Sequence, residues 1–387
     1  MDYALPEDAK LLQMNVRKFV YEELIPLERE LPETEHVDDI PGPIRERLQR
    51  RTREMGLWLL GVPEEYGGPG LSMLELCVVW QETSKAAILP NRGESIFGPD
   101  PGPILFECNE EQRPRFLQPV LQGEKRTCFA QTEPDAGSDP AGMKTRAVKE
   151  GDHWVLNGRK RFITNAHKAD FAQVFAVTDP QKRARGGITC FLVDMKAPGV
   201  KLEKCWDLMM ADRPGEISFQ DVQVPETDVL GGVGRGFQLG QKWISVGRLH
   251  QCAKALGIAE RSLEMAARYA KIRVTFGQPL AERQAVQWML ADSYVEMHAT
   301  RLMLYEAAWK HDQGQDIRTE AYMAKLYGVE MVNRVVDRAI QIHGGIGLSR
   351  ELPLERWYRD MRSRRITEGA TEVMRMAIAR HVLRQFD

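Results

Sequence analysis

No stretch of the 387-residue sequence has the run of apolar residues that a membrane-spanning helix needs. Neither sign of charge dominates. The 53 Lys and Arg stand against 55 Asp and Glu, which gives bulk composition no case for nucleic acid or an anionic membrane as partner. The 6 cysteines, Cys77, Cys108, Cys128, Cys190, Cys205 and Cys252, are scattered, with no Cys-x-x-Cys pair and no Cys/His ligand spacing. That distribution predicts free thiols in a reducing compartment and no metal site. The opening residues Met1 to Asp8 are acidic and carry neither the basic nor the apolar segment of a signal or transit leader. These absences predict a cytoplasmic protein with no membrane or nucleic-acid partner. Internal repeats and low-complexity tracts are missing as well.

What is present is enough apolar material, 43% of the residues, for a sizeable core in two or three domains. Pro6 suits a first helical turn, and Leu11, Leu12, Phe19, Val20 and Leu24 follow at helical intervals. Further helices are expected over 43–55, 73–86 and 110–121, broken by the turn cluster Pro63 to Gly70 and by an irregular Pro/Gly-rich loop over 90–103. Near residue 126 the pattern turns to short β-type runs: Arg146–Val148, His153–Leu156, Arg161–Thr164, Gln173–Val177, Ile188–Val193 and Ile217–Phe219. Asn157-Gly158 predicts a hairpin turn between two of them, because both residues tolerate positive φ. Helical periodicity returns near 237, with segments expected at 238–272, 281–312, 318–342 and 370–384. The expectation is an α+β fold: an N-terminal all-α domain over 1–125, a central β domain over 126–236 and a C-terminal four-helix bundle over 237–387. Gly231-Gly-Val-Gly-Arg-Gly236 is not a dinucleotide fingerprint. Position 237 is Phe and no βαβ context surrounds it, so it reads as a turn into the next helix.

Five motifs follow one another along the chain: Met55-Gly-Leu to Pro63-Glu-Glu-Tyr-Gly-Gly68, Cys128-Phe-Ala-Gln-Thr-Glu-Pro-Asp-Ala-Gly-Ser-Asp139, Arg161-Phe-Ile-Thr-Asn165, Arg273-Val-Thr-Phe-Gly-Gln278 and Gln341-Ile-His-Gly-Gly-Ile-Gly347. In this order they resemble the acyl-CoA dehydrogenase family over nearly the whole chain. The resemblance implies FAD as cofactor, the domain order just given, and α,β-dehydrogenation of an acyl-CoA thioester, with electrons passed to an electron-transfer flavoprotein. It assigns Phe129, Gln131 and Thr132 to the flavin ring system, and Gly137 and Ser138 to a turn that meets flavin or CoA phosphates. Phe162 would pack on the isoalloxazine and Thr164 would offer a hydrogen bond near N5. Arg273 and Phe276 would reach the FAD of a neighbouring subunit, with Gln341, Gly344 and Gly345 closing around it; a homo-oligomer, dimer or tetramer, is implied. Small residues allow the backbone close to a ligand, and guanidinium matches phosphate geometry. For Phe129 and Phe162 taken alone, ordinary strand packing explains the residue type equally well.

Ile366-Thr-Glu-Gly-Ala-Thr-Glu372 resembles the family run that carries the catalytic glutamate, which implies Glu368 as the base for the α-proton and hydride departure from the β-carbon to flavin N5. A helix-start carboxylate is the alternative role for such a residue. Other branches carry the base immediately before Arg248, where this chain has Gly247. The same resemblance places Arg248 near the base, Arg380 at the CoA end, and Trp80, Ile96, Phe97, Trp243 and Ile244 around the acyl group. The basic residues Arg362, Arg364, Arg365, Arg375, Arg380 and Arg384 read either as a phosphate cradle or as a solvated helix face. The chain departs from the family pattern at Phe162 (usually Trp), Thr367 (usually Tyr) and Ala370 (usually Thr). Together with Phe97–Gly102 and Gly247–Cys252, these departures look like the divergent branch of the mammalian family members 10 and 11 and argue against a housekeeping short- or medium-chain enzyme. An acyl-CoA oxidase, a flavin monooxygenase on the same fold and a non-catalytic acyl-CoA-binding member are the alternatives. The glutamate context opposes the monooxygenase, the compact length the longer oxidases, and the retained motifs the inert binder.

Overall fold

The computed structural model describes residues 5–31, 40–89 and 96–386. In chain order, α1 (Glu7–Phe19), α2 (Gly42–Glu54), α3 (Met73–Thr83) and α4 (Gln118–Leu121) come first. The strands are β1 (Thr127–Ala130), β2 (Arg146–Glu150), β3 (His153–Ile163), β4 (Phe171–Val177), β5 (Ile188–Asp194), β6 (Val200–Cys205), β7 (Gly215–Pro225) and β8 (Val229–Leu230). Then follow α5 (Gly236–Ile272), the short pair β9 (Val274–Thr275) and β10 (Gln278–Pro279), α6 (Gln284–Asp312), α7 (Arg318–His343), α8 (Leu354–Arg364) and α9 (Thr371–Leu383). Part of the irregular loop expected over 90–103 lies outside the described residues. Among those that are described, no helix is long and apolar enough to cross a membrane. The chain resolves into two compact units, one from Met1–Glu33, Leu71–Leu89 and Ser245–Asp387, the other from Thr34–Gly70 and Pro90–Ile244.

In the helical unit, α3 is buried along most of its length, and its start is fixed twice. Ser72 and Glu75 form a reciprocal capping box, and the Asp312 carboxylate at the end of α6 accepts from the Met73 and Leu74 amides at 2.7 and 3.0 Å. Both devices place negative charge where the helix dipole is positive and its amides lack partners. Charge also ties the helices laterally. Lys85, buried just past α3, lies 2.7 Å from Glu82 and 2.8 Å from Glu260 of α5. Arg17 of α1 reaches Glu82 at 2.8 Å, and Arg301 of α6 reaches Glu260 at 2.7 Å.

In the other unit the sheet runs β6-β7-β3-β2-β4-β5-β8, with β1 added parallel to β4. β4 and β5 are buried almost throughout, because apolar residues cover both faces of the sheet. Trp154, Phe191, Ile217 and Phe219 belong to one cluster; Phe171, Phe175, Leu192 and Leu239 join Ile104, Leu105, Phe116 and Leu117 in the other. Near-continuous apolar runs are what strands covered on both sides require. The thiols are free, and all but Cys205 are buried. Burial pushes Cys108 and Cys128 up to about 12, so they behave as small apolar groups.

One expectation fails. Asn157-Gly158 is not a hairpin: β3 runs straight through it, and the reversal lies at Gly151, φ +63°. Asn157 instead bonds across to Asp221 of β7, its Nδ2 donating to Asp221 Oδ1 and its Oδ1 accepting from the Asp221 amide, both at 3.0 Å. The β3–β7 register shifts between Leu156 and Gly158, and a Cβ on Gly158 would come within 2.4 Å of Thr145 Oγ1. The pair marks a bulge at a close backbone approach.

The interior of β3 also carries Lys160, fully buried, with Nζ 2.7 Å from Glu133 Oε1 and donating to Gln131 O at 3.1 Å. Burial pulls the lysine down to about 8 against the pull of Glu133. For Glu133 burial raises the pKa, but Lys160 and the Lys144 amide outweigh it and leave the carboxyl below its ordinary value. Lys160→Met would strand Glu133 without its cation. It is expected to cost about 3–5 kcal/mol in urea unfolding followed by circular dichroism; a loss under about 1 kcal/mol would show the pair is dispensable.

Candidate active site

In the sheet unit the two central motifs come together. The Arg161 amide donates to Thr132 O at 2.8 Å, and Lys160 reaches back to Gln131 and Glu133, so the 131–139 loop is fastened along β3. Phe129 projects from β1 onto Trp243, rings stacked with centroids 4.7 Å apart and planes at 21°, and leans on Phe175 at 4.8 Å. Ile244 follows Trp243 and is half-buried. Gln131 is 5% exposed, and its Nε2 finds no partner among the described residues. Thr132 is half-buried, while Gly137 and Ser138 are exposed. Phe162 sits at φ +56° with half of its surface exposed and tilts against Trp206 at 4.6 Å. A bulky residue in the left-handed region costs about 1–3 kcal/mol, so the surrounding strand has to over-determine it. Thr164 Oγ1 donates to Asp212 Oδ2 at 3.1 Å. These residues fit a flavin: an unmet buried amide for ring acceptors, open backbone and hydroxyl at Gly137–Ser138 for phosphate, and an exposed aromatic face at Phe162.

Glu368 belongs to the helical unit, on the segment between α8 and α9. Its φ is +56°, and Gly369 follows at +95°. The segment is drawn together by the Thr371 amide donating to Arg365 O at 3.0 Å. Gly247 faces the carboxylate: a Cβ there would lie 3.0 Å from Glu368 Oε2 and 3.3 Å from Cδ. The glycine at the position where other branches carry the base thus leaves room for Glu368. The neighbouring Arg248 is buried, with its guanidinium 4.5 Å over the Tyr322 ring and Nε and Nη1 without partners among the described residues. Burial lowers its pKa, and Tyr322 and Glu368 oppose that shift.

The remaining sequence-derived residues of this unit are spread out. Arg273 precedes the β9–β10 hairpin and Phe276 sits in its turn, with φ +47° and 98% of its surface exposed. Gln341, Gly344 and Gly345, at the end of α7, are exposed; near them Tyr269 of α5 stacks on His343 at 4.6 Å. Arg380 is exposed on the last turn of α9. Trp80 contacts His250, at 4.6 Å between centroids; Ile96 and Phe97 are buried in the sheet unit. The C-terminal arginines do not act as one cradle. Arg364 is buried, and Arg365 and Arg375 meet Glu330 at 3.0 and 3.6 Å.

Sequence reasoning passed over Lys160, Tyr322 and Lys325, and placed Arg364 only within the C-terminal basic group. For Lys325 a signal existed. It falls on the stripe of Ala321, Ala324, Gly328, Val329 and Val332, the buried face of α7, where a lysine is out of pattern.

Comparison with known proteins accords with this geometry. Family profiles match in sequence: "Acyl-CoA dehydrogenase, N-terminal domain" over residues 6–124, "middle domain" over 128–222 and "C-terminal domain" over 234–383. The chain is 38% identical over 394 residues to (R)-benzylsuccinyl-CoA dehydrogenase of Thauera aromatica, covering 99% of this chain and 97% of that one. It is 36% identical over 385 residues to the caffeyl-CoA reductase-Etf complex subunit CarC of Acetobacterium woodii, covering 98% and 99%. The solved butyryl-CoA dehydrogenase of Megasphaera elsdenii superposes with a TM-score of 0.82 at 32% identity, covering 99% and 100%.

Gly247→Ala tests the space opposite Glu368. The contact falls on the end of a flexible side chain, so the fold should hold and the carboxylate should shift by a few tenths of an ångström. Substrate-driven flavin reduction should slow by about tenfold at unchanged melting temperature. An unchanged rate would show that the opening is not needed.

Proposed function

The chain belongs to the acyl-CoA dehydrogenase family, FAD-dependent oxidoreductases acting on acyl-CoA, and on that premise we propose that it removes the α and β hydrogens of an acyl-CoA thioester with Glu368 as the base. The observation that carries this reading is the Glu368 turn: a carboxylate on left-handed backbone, facing a helix position with no side chain. A glutamate in water is too weak a base for an α-C–H. An acyl group covering Glu368 would exclude water, raise the carboxylate's basicity and leave it within reach of the α-proton. The Glu368 amide would donate to the thioester oxygen and acidify that proton. Arg248, on the helix beside Glu368, sets a positive charge close to the base. When bound, FAD supplies the two-electron acceptor for what leaves the β-carbon. Gln131, Phe162 and the Gly137–Ser138 backbone would hold it in place.

An electron-transfer flavoprotein is proposed as the partner that takes the electrons on; the name of the Acetobacterium woodii relative supports it by describing a reductase–Etf complex. A homo-oligomer is proposed on the exposed β9–β10 hairpin, whose Arg273 and Phe276 would complete the FAD site of a second copy. The domain boundaries near residues 126 and 237, and a cytoplasmic setting, belong to the same proposal. Relatives acting on aromatic acyl groups widen the candidate substrates beyond straight chains. The testing panel should therefore include aryl and dicarboxylic esters.

Anaerobic titration of the yellow protein with such a panel should bleach the flavin with one class of ester. No bleaching by any ester, with FAD bound, would sink the dehydrogenase reading. Glu368→Gln should keep FAD and fold yet slow reduction by about a thousandfold, as loss of a positioned base does. Near-normal reduction would remove Glu368 from the mechanism.

A further inference from the structure

We propose that Lys325 is a positioning residue for the Glu368 carboxylate, acting by clamping the carbonyl of Gly369 and with it the left-handed turn that aims the base. The proposal rests on the reading of Glu368 as the base. Lys325 projects from the buried face of α7 and is fully enclosed. Its Nζ donates to Gly369 O at 2.8 Å. That bond falls on the second of two successive left-handed residues, Glu368 at φ +56° and Gly369 at +95°. Gly369 adopts this conformation without steric penalty, but Glu368 resists it by about 1–2 kcal/mol, so the turn needs an anchor. The start of α9 offers none of this kind, since its N-cap is Ala370, which makes no side-chain hydrogen bond. Arg248 is close as well, its Nη2 3.6 Å from where a Cβ on Gly369 would stand. Glu368 and Gly369 are thus flanked by a lysine on α7 and an arginine on α5.

The charged groups around Lys325 give the clamp a second effect. Burial lowers its pKa to about 7; Glu368 opposes that shift, Arg248 on α5 and Arg364 on α8 reinforce it, and Glu330 on α7 opposes it. Glu330 is itself held by Arg365 and by Arg375 of α9. On the acid side of its titration Lys325 is an ammonium that attracts the Glu368 carboxylate. Removing that charge takes an attraction away from the carboxylate, so the acidic limb of the rate profile must move to higher pH.

The test is stopped-flow flavin reduction across pH, with an ester that bleaches the wild type, in Lys325→Met and Lys325→Arg. The Met variant should lose about tenfold in reduction rate at little change in ester affinity, with its acidic limb raised by about one pH unit. The Arg variant, keeping donor and charge, should restore the limb. A wild-type limb and rate in the Met variant overturn the proposal, as does an Arg variant as impaired as the Met variant. If Lys325→Met does not fold, the Arg variant's limb alone decides. A crystal structure of Lys325→Met provides a readout independent of activity: Gly369 O should be displaced and Glu368 should leave the left-handed region, whereas an intact turn refutes the clamp. If the wild type bleaches with no ester, the base assignment fails on its own and the crystal structure still judges the clamp.

Discussion

A charge withdrawn from water must be met by another group, and much of this molecule is arranged to satisfy that demand. Lys85 between Glu82 and Glu260 draws α1, α3, α5 and α6 into one unit. Lys160 on Glu133 fastens the 131–139 loop to β3 in the other. Lys325 on Gly369 O holds the turn of the proposed base. Each is a lysine whose ammonium is out of solvent, and each sits where a loop or helix end would otherwise be weakly determined. Such pairs add little net stability over apolar packing. Their use lies in geometry, because a buried ammonium tolerates few arrangements of its acceptors.

Several strained backbone positions fall on the motifs. Phe162, Glu368 and Phe276 all have positive φ without being glycine, and all three are motif residues. Asn165, at φ +62°, closes the motif that contains Phe162. Left-handed conformation aims a side chain where a regular strand or helix would not, and it survives only where neighbours enforce it. The rigid elements thus present their chemistry through a few residues held in unfavourable conformations.

The α–β–α order and the major helices were legible because long apolar periods dominate any local preference: α5, α6 and α7 begin and end close to where periodicity places them. Short elements were less legible. β6 has mostly exposed residues and α8 is rich in charge, so neither gives a clean apolar signal. Asn157-Gly158 misled because the signal that favours a tight turn also suits a bulge, and the choice depended on Asp221, which lies 64 residues away. In the site, Glu368 and the flavin motifs were readable from short runs. Lys325 was not, since its role depends on burial, a property of three dimensions, and neither was Tyr322, whose ring lies under the Arg248 guanidinium. Gly247, without a side chain, offers no base; only the structure shows that this absence leaves room for the Glu368 carboxylate.

In the proposed homo-oligomer the exposed Phe276 would tie cofactor chemistry to mass action. Phe276, 98% exposed on a left-handed tip, makes one ring contact among the described residues, with the Arg283 guanidinium 5.8 Å from its centroid. If that tip finds its partner in the cofactor site of a second copy, assembly and FAD affinity are coupled free energies, and the coupling is reciprocal. Cofactor occupancy then depends on protein concentration, and apoprotein should dissociate at dilutions where holoprotein does not. Sedimentation of the two forms over a dilution series would reveal that coupling, and identical dissociation would break it.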